Sequence, residues 1–217
     1  MNNPIWIGIL LWVHRHCIEL MFSLANNRTY NGRMIHADSK DDILSLSINN
    51  KLKNHEVVLK GNTGNKQYRD SHGKDLLMLL SRLMQENITL QSIYVITPFN
   101  AVKTALIELL KETDLPAIQQ PVIKITPEEV NHWAKHKIGA VNTFQGKENN
   151  TVIFVLGCSI GEEGGAQWAA SKPNLVNVAL TRAKKYIFVI GNPDVWGHLP
   201  SFSDVANTLP REIGTLE

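Results

Sequence analysis

Cysteine is scarce: Cys17 and Cys158 are the two in 217 residues, far apart in the chain. That excludes a disulfide framework and fits a reduced, cytoplasmic setting. Cys158 closes an apolar run where small hydrophobic residues are common, so packing accounts for it. Long apolar runs are lacking as well. The stretch Pro4–Val13 reaches about half the length needed to span a bilayer, and no basic secretory leader precedes it. It reads as buried chain entering the fold, with no membrane as partner. There is no internal repeat and no low-complexity tract. No GxxxxGKS/T phosphate loop occurs, and no apolar strand ends in the Asp-Glu pair that holds magnesium in nucleotide motors. Gly61, Gly64 and Lys66 imitate such a loop, but the spacing is wrong and no Ser or Thr follows Lys66.

What is present describes an ordinary globular chain, 43% hydrophobic and 19% charged, long enough for one large α/β domain. A net charge of +2 permits a local basic groove for nucleic acid without demanding one. The chain is organised around residues 138–191. Two β-branched runs, Thr151–Leu156 and Tyr186–Ile190, each follow a polar segment holding Gly, Gln, Glu, Thr and Arg. α/β nucleotide sites are built this way, with buried strands as scaffold and ligand groups on the loops and helix ends beside them. Taken alone, Gln145-Gly146-Lys147-Glu148 reads more simply as a solvated turn. The helix predicted from Pro173, with Ser171 as a possible cap, shifts that balance. Its face bearing Asn174, Asn177 and Thr181 or Arg182 is polar, while Leu175, Val178, Ala179 and Ala183 cover the other. An inward Arg182 cannot shed its charge, and a phosphate is its natural partner.

Elsewhere the periodicities are those of scaffold. Trp12–Tyr30 reads as a helix and its exit, with Cys17, Leu20, Met21 and Leu24 at helical spacing. His14, His16 and Cys17 invite a metalloenzyme reading, but neighbouring helical positions point apart and no second ligand pair follows, so no metal is expected. Asp38–Asn54 reads as loop, His55–Lys60 as a strand, and the segment through Gly73 as a turn-rich connection. Leu76, Leu79, Leu80 and Leu83 predict an amphipathic helix over Lys74–Glu86. A strand over Ile93–Thr97 stops at Pro98, and a helix follows over Asn100–Glu112. That junction fits equally a structural turn or one presenting Thr97, Asn100 and free backbone donors to a phosphate. Thr126-Pro127-Glu128-Glu129 is a capping box, and His132, Trp133 and His136 on the ensuing helix read as packing or surface. A strand comes before Val141.

TFQGKENNTVIFVLG followed by NVALTRAKKYIFVIGN resembles the fifth and sixth motifs of superfamily 1 helicases, in the branch of the nonsense-mediated-decay and Dna-two-type enzymes. GAQWAASKPN is similar to the bacterial members, whose C-terminal domain is of AAA type, and ITPFNAVKTAL resembles the fourth-motif region. The resemblance implies a RecA-like second motor domain: a mostly parallel sheet with helices on both faces, lacking its own phosphate loop. Its expected bounds are an opening segment over 1–35 within the same domain, the RecA-like domain proper over 36–212, and a tail over 213–217.

By the same match Arg182 is the arginine finger, Arg15 a second γ-phosphate ligand and Gln145 a further member of the catalytic turn. Glu148 is placed for the ribose hydroxyls and Gly146 for close backbone approach near the γ-phosphate. Thr97, Pro98, Phe99, Asn100 and Thr143 fall on the nucleic-acid side. Tyr30-Asn31-Gly32-Arg33-Met34 also fits, whereas Ile18-Glu19 departs from the proline common nearby in relatives. The implied cofactor is ATP with magnesium held by an N-terminal motor domain, and the implied partners are that domain and single-stranded DNA or RNA. The beginning at Met-Asn-Asn and the end at Leu216-Glu217 fit an excised domain or a truncated reading frame, expected to bind ATP weakly and hydrolyse essentially none. The alternative is a catalytically silent nucleic-acid or protein interaction module.

Overall fold

Strands that are apolar at every position belong where both faces of a sheet are covered. The computed structural model describes residues 13–14, 19–29, 35–36, 56–58, 67–113, 125–200, 202–209 and 211–213. It places β4 (Ile93–Thr97) with all five residues buried, beside β6 (Asn149–Val155) and β7 (Ala183–Gly191), which are buried from Thr151 and Tyr186 onward. With β3 (Glu56–Val58), β5 (Ile138–Ala140) and β8 (Arg211–Ile213) they form a six-stranded sheet of order β5-β4-β6-β7-β3-β8. Every pairing in it is parallel. A second, two-stranded parallel sheet pairs β1 (Val13–His14) with β2 (Ile35–His36).

Helices supply the connections that parallel pairing requires. They are α1 (Glu19–Thr29), α2 (Asp70–Gln85), α3 (Asn100–Glu112), α4 (Pro127–Lys137), α5 (Glu163–Ala170), α6 (Pro173–Arg182), α7 (Pro193–Trp196) and α8 (Ser203–Thr208). α1 packs on α6, and α3 on α4. The predicted capping box forms: Thr126 N–H donates to Glu129 at 2.8 Å and Glu129 N–H to the Thr126 hydroxyl at 3.2 Å. Trp133 is fully buried, and its indole N–H donates to the Ile93 carbonyl at 3.1 Å, fixing α4 against the start of β4.

Two expected boundaries are corrected. Val13–His14 is extended rather than helical, because the two residues pair with a non-local strand. α2 starts at Asp70, ahead of the expected Lys74, because the Arg69 N–H donates to His72 Nδ1 at 3.1 Å and closes the helix start. Ser171 is not the cap of α6: its hydroxyl donates to the Trp168 carbonyl at 2.7 Å and closes α5 instead. Arg15, His16, Cys17, the 30–34 tract and the stretches 38–54 and 61–66 lie outside the described residues.

α2 carries a buried carboxyl. Asp75 is 2% exposed, and its Oδ2 has no hydrogen-bond partner. Burial pushes it up from 3.8 to about 6. The folded chain therefore holds this proton more tightly than the unfolded chain. The resulting stability is complete below about pH 4 and lost as pH rises through 6. The span from 3.8 to about 6 corresponds to at most roughly 3 kcal/mol. Asp75→Asn is expected to raise the urea midpoint at pH 8 and to match the parent at pH 4. An equal difference at both pH values would show that ionisation is not the cause.

Candidate functional site

Because the strands are parallel, their amino ends share one edge of the sheet and their carboxyl ends the other. Gln145, Gly146, Lys147 and Glu148 lead into β6, and Arg182 ends α6 just before β7, so both polar segments reach the amino edge. Asn149 pairs with Ala183 in register, and the side chains close the remaining gap. One Arg182 terminal nitrogen donates to the Lys147 carbonyl at 3.2 Å and the other to the Thr181 hydroxyl at 3.0 Å. That hydroxyl donates back to the Asn177 carbonyl at 2.8 Å, tying the guanidinium to the last turn of α6. Arg182 Nε is buried without a partner, as is Asn177 Oδ1 one turn earlier. Each terminal nitrogen of the half-buried guanidinium keeps a second N–H beyond the bond it makes, and these rather than the sealed Nε are what an incoming anion can meet.

The rest of the turn is open. Gln145 and Gly146 are exposed, and Glu148 is half-buried with its carboxylate 3.3 Å from Lys184 Nζ. Gly146 has φ +79, and nothing lies within 4 Å of where a Cβ would sit. The glycine answers to backbone conformation and leaves room for a ligand to come close. These features fit a phosphate-bearing nucleotide: an unspent guanidinium donor, an accessible glycine backbone and a carboxylate acceptor.

At the carboxyl edge the Thr97–Asn100 turn separates into two kinds of residue. Thr97 is fully buried, and its hydroxyl accepts the Phe99 N–H at 3.3 Å, so the side chain shapes the turn and is not presented to a strand. Phe99 is also buried, its ring 6.0 Å from Trp168 and 6.5 Å from Trp196. Pro98 is half-buried and Asn100 is exposed. Thr143, exposed on the 3-10 turn Val141–Phe144, lies against Gly139, which pairs with Ile96 of β4.

The neighbouring loop after β6 was not singled out from the sequence. Gly157 and Cys158 both adopt left-handed backbone, and Trp196 donates its indole N–H to the Gly157 carbonyl at 2.8 Å. Arg69 donates to Ser159 at 3.0 Å and pairs with Glu162 at 2.9 Å. Burial, with Glu162 adding, pushes the Cys158 thiol up to about 12, so it stays protonated and is no nucleophile. No sequence signal points to Arg69, because its partners lie some ninety residues away.

The described residues thus form an all-parallel α/β sheet with an arginine-bearing turn at one edge and a strand-to-helix turn at the other. Residues 9–194 match the family described as "AAA domain". The chain belongs to that family and is a superfamily 1 helicase C-terminal domain. It is 28% identical over 57% of its length to a regulator of nonsense transcripts 1 homolog of Drosophila melanogaster, covering 10% of that protein. It is 25% identical over 54% of its length to the ATP-dependent helicase upf1 of Schizosaccharomyces pombe, covering 11% of it. The chain thus spans about a tenth of these curated relatives. A solved C-terminal domain of a possible DNA helicase from Lactobacillus plantarum WCFS1 superposes with TM-score 0.47 at 11% identity, covering 93% of this chain and 99% of that one. Among the described residues no helix is long and apolar enough to cross a membrane.

The two glycines at the opposite edges respond differently to a methyl group. Gly146→Ala meets open space and is expected to cost roughly 1–2 kcal/mol from backbone strain alone. Gly157→Ala adds to its φ of +71 a Cβ 2.7 Å from the Gln67 carbonyl oxygen and 2.9 Å from Val102, so its loss should exceed the other by roughly 1–3 kcal/mol. Urea denaturation of the pair checks the order.

Proposed function

We propose that the chain works as the C-terminal half of an ATP-dependent superfamily 1 helicase, with Arg182 as its arginine finger. The observation that carries this is the hydrogen bond from Arg182 to the Lys147 carbonyl, which makes one surface of two motifs 35 residues apart. On that surface Arg182 neutralises charge on the transferring phosphoryl group. The Gly146 backbone admits the phosphates, Glu148 accepts from ribose hydroxyls and Gln145 borders the reacting end. Arg15 is assigned to the same phosphate by its motif. ATP with magnesium supplies the phosphoanhydride to be cleaved. The sequence has no phosphate loop, so in this reading an N-terminal motor domain holds the metal and the remaining phosphates.

The carboxyl edge takes the single strand. Asn100, the backbone at Pro98 and Phe99, and Thr143 contact its phosphates, while Thr97 holds the turn. Binding of nucleotide draws the two motor domains together through Arg182, and hydrolysis releases them because the guanidinium loses the charge it met. Strand affinity is chiefly electrostatic and falls with salt.

Joining the chain to a phosphate-loop motor domain in one polypeptide tests the reading. Strand-stimulated hydrolysis is expected, and Arg182→Ala should lower it about a thousandfold or more. The separate 217-residue chain should hydrolyse essentially no ATP. Hydrolysis by the separate chain that vanishes in Arg182→Ala, or a joined enzyme indifferent to that substitution, would sink the proposal.

A further inference from the structure

Large hydrophobic side chains exposed among the described residues are Met78, Ile160 and Trp168, and the aromatic one is 52% exposed. An indole left half in water has forgone much of the burial that normally stabilises it. Trp168 stands on α5, which follows the loop leaving β6, at the carboxyl edge of the sheet. It is not adrift there. Its ring lies 6.0 Å from that of Phe99, tilted by 34°, and Phe99 is pinned in turn by Trp196 at 6.5 Å. Lys172 Nζ sits 5.7 Å from the Trp168 ring centroid on an exposed side chain. The Ser171 hydroxyl, bonded to the Trp168 carbonyl at 2.7 Å, closes the end of α5, and Lys172 follows directly as the residue leading into α6.

We propose that Trp168 is a stacking platform for one base of a single-stranded nucleic acid, with Lys172 meeting the phosphate beside it. Every base has a π face, so an aromatic side chain beside a backbone-tracking cation serves any sequence. The position is continuous with the Thr97–Asn100 turn, because Phe99 of that turn is the ring on which Trp168 leans. The acids nearest in sequence are engaged. Glu162 pairs with Arg69 at 2.9 Å, and Glu163 accepts the Gly161 N–H at 2.9 Å. The platform rests on the strand-binding reading of the carboxyl edge and adds to it a contact to a base rather than to a phosphate.

The test is fluorescence anisotropy of the full chain at low salt with labelled oligo(dT) and oligo(U) of about 15 nucleotides. Trp168→Ala should weaken binding about 5- to 150-fold, and Trp168→Phe should retain most of it. The salt dependence of Trp168→Ala should match the parent's, because no phosphate contact is removed. On a strand with abasic sites throughout, the alanine variant and the parent should bind alike. An equal loss on the abasic strand, or no loss on either, overturns the stacking role while leaving strand binding intact, and the second outcome points to a protein-facing surface. Failure of the parent chain to bind any strand overturns both readings. The unfolding midpoint of Trp168→Ala should stay near the parent's, so lost binding cannot be assigned to lost fold.

Discussion

Burial of β4, β6 and β7 on both faces is the constraint from which the rest follows. A parallel strand covered on both sides carries few polar side chains and no charged ones along its buried length; in β6 the one polar side chain there is Thr151. Chemistry is therefore confined to the strand ends, and parallel pairing collects like ends together. At the amino edge this gathers Arg182, Gly146 and Glu148, and at the carboxyl edge Asn100, Ser159 and the Trp168–Phe99 ring pair. β6 spans seven residues, so the two edges stand about 20 Å apart across a rigid support. The proposed coupling of nucleotide at one edge to a strand at the other would use such a support.

The two edges differ in how they are made. The amino edge is assembled from hydrogen bonds to backbone, Arg182 to Lys147 and Thr181 to Asn177, which hold whatever the neighbouring side chains are. The carboxyl edge is packed from rings and glycines. Gly165 approaches so closely that a Cβ there would lie 2.9 Å from the Cys158 sulfur. Its geometry therefore depends on shape complementarity among Phe99, Trp196 and the loop after β6.

Much of this was legible in the sequence where local chemistry decides. Pro98 ends β4 and leaves Asn100–Glu112 free to be helical, and the reciprocal Thr126–Glu129 bonds mark α4 unambiguously. Non-local partners were not legible. Val13–His14 is extended only through Ile35–His36, and α2 begins early because a histidine ring, rather than the usual Glu or Gln, receives the capping N–H. Motif spacing pointed to Arg182 and the Gln145–Glu148 turn, which the structure joins. It also pointed to Thr97, whose hydroxyl turned inward because the turn itself needed an acceptor. Ser159, Arg69 and Glu162 form a cluster that no periodicity announces.

The double tether on Arg182 bears on the finger role proposed for it. A free arginine side chain has about 2 kcal/mol of rotamer freedom to surrender when it grips a phosphate. Here the Lys147 carbonyl and the Thr181 hydroxyl have already narrowed those rotamers before any anion arrives. On the proposed reading, much of the ordering cost then falls on folding rather than on each catalytic cycle, and the guanidinium would meet a phosphate already aimed.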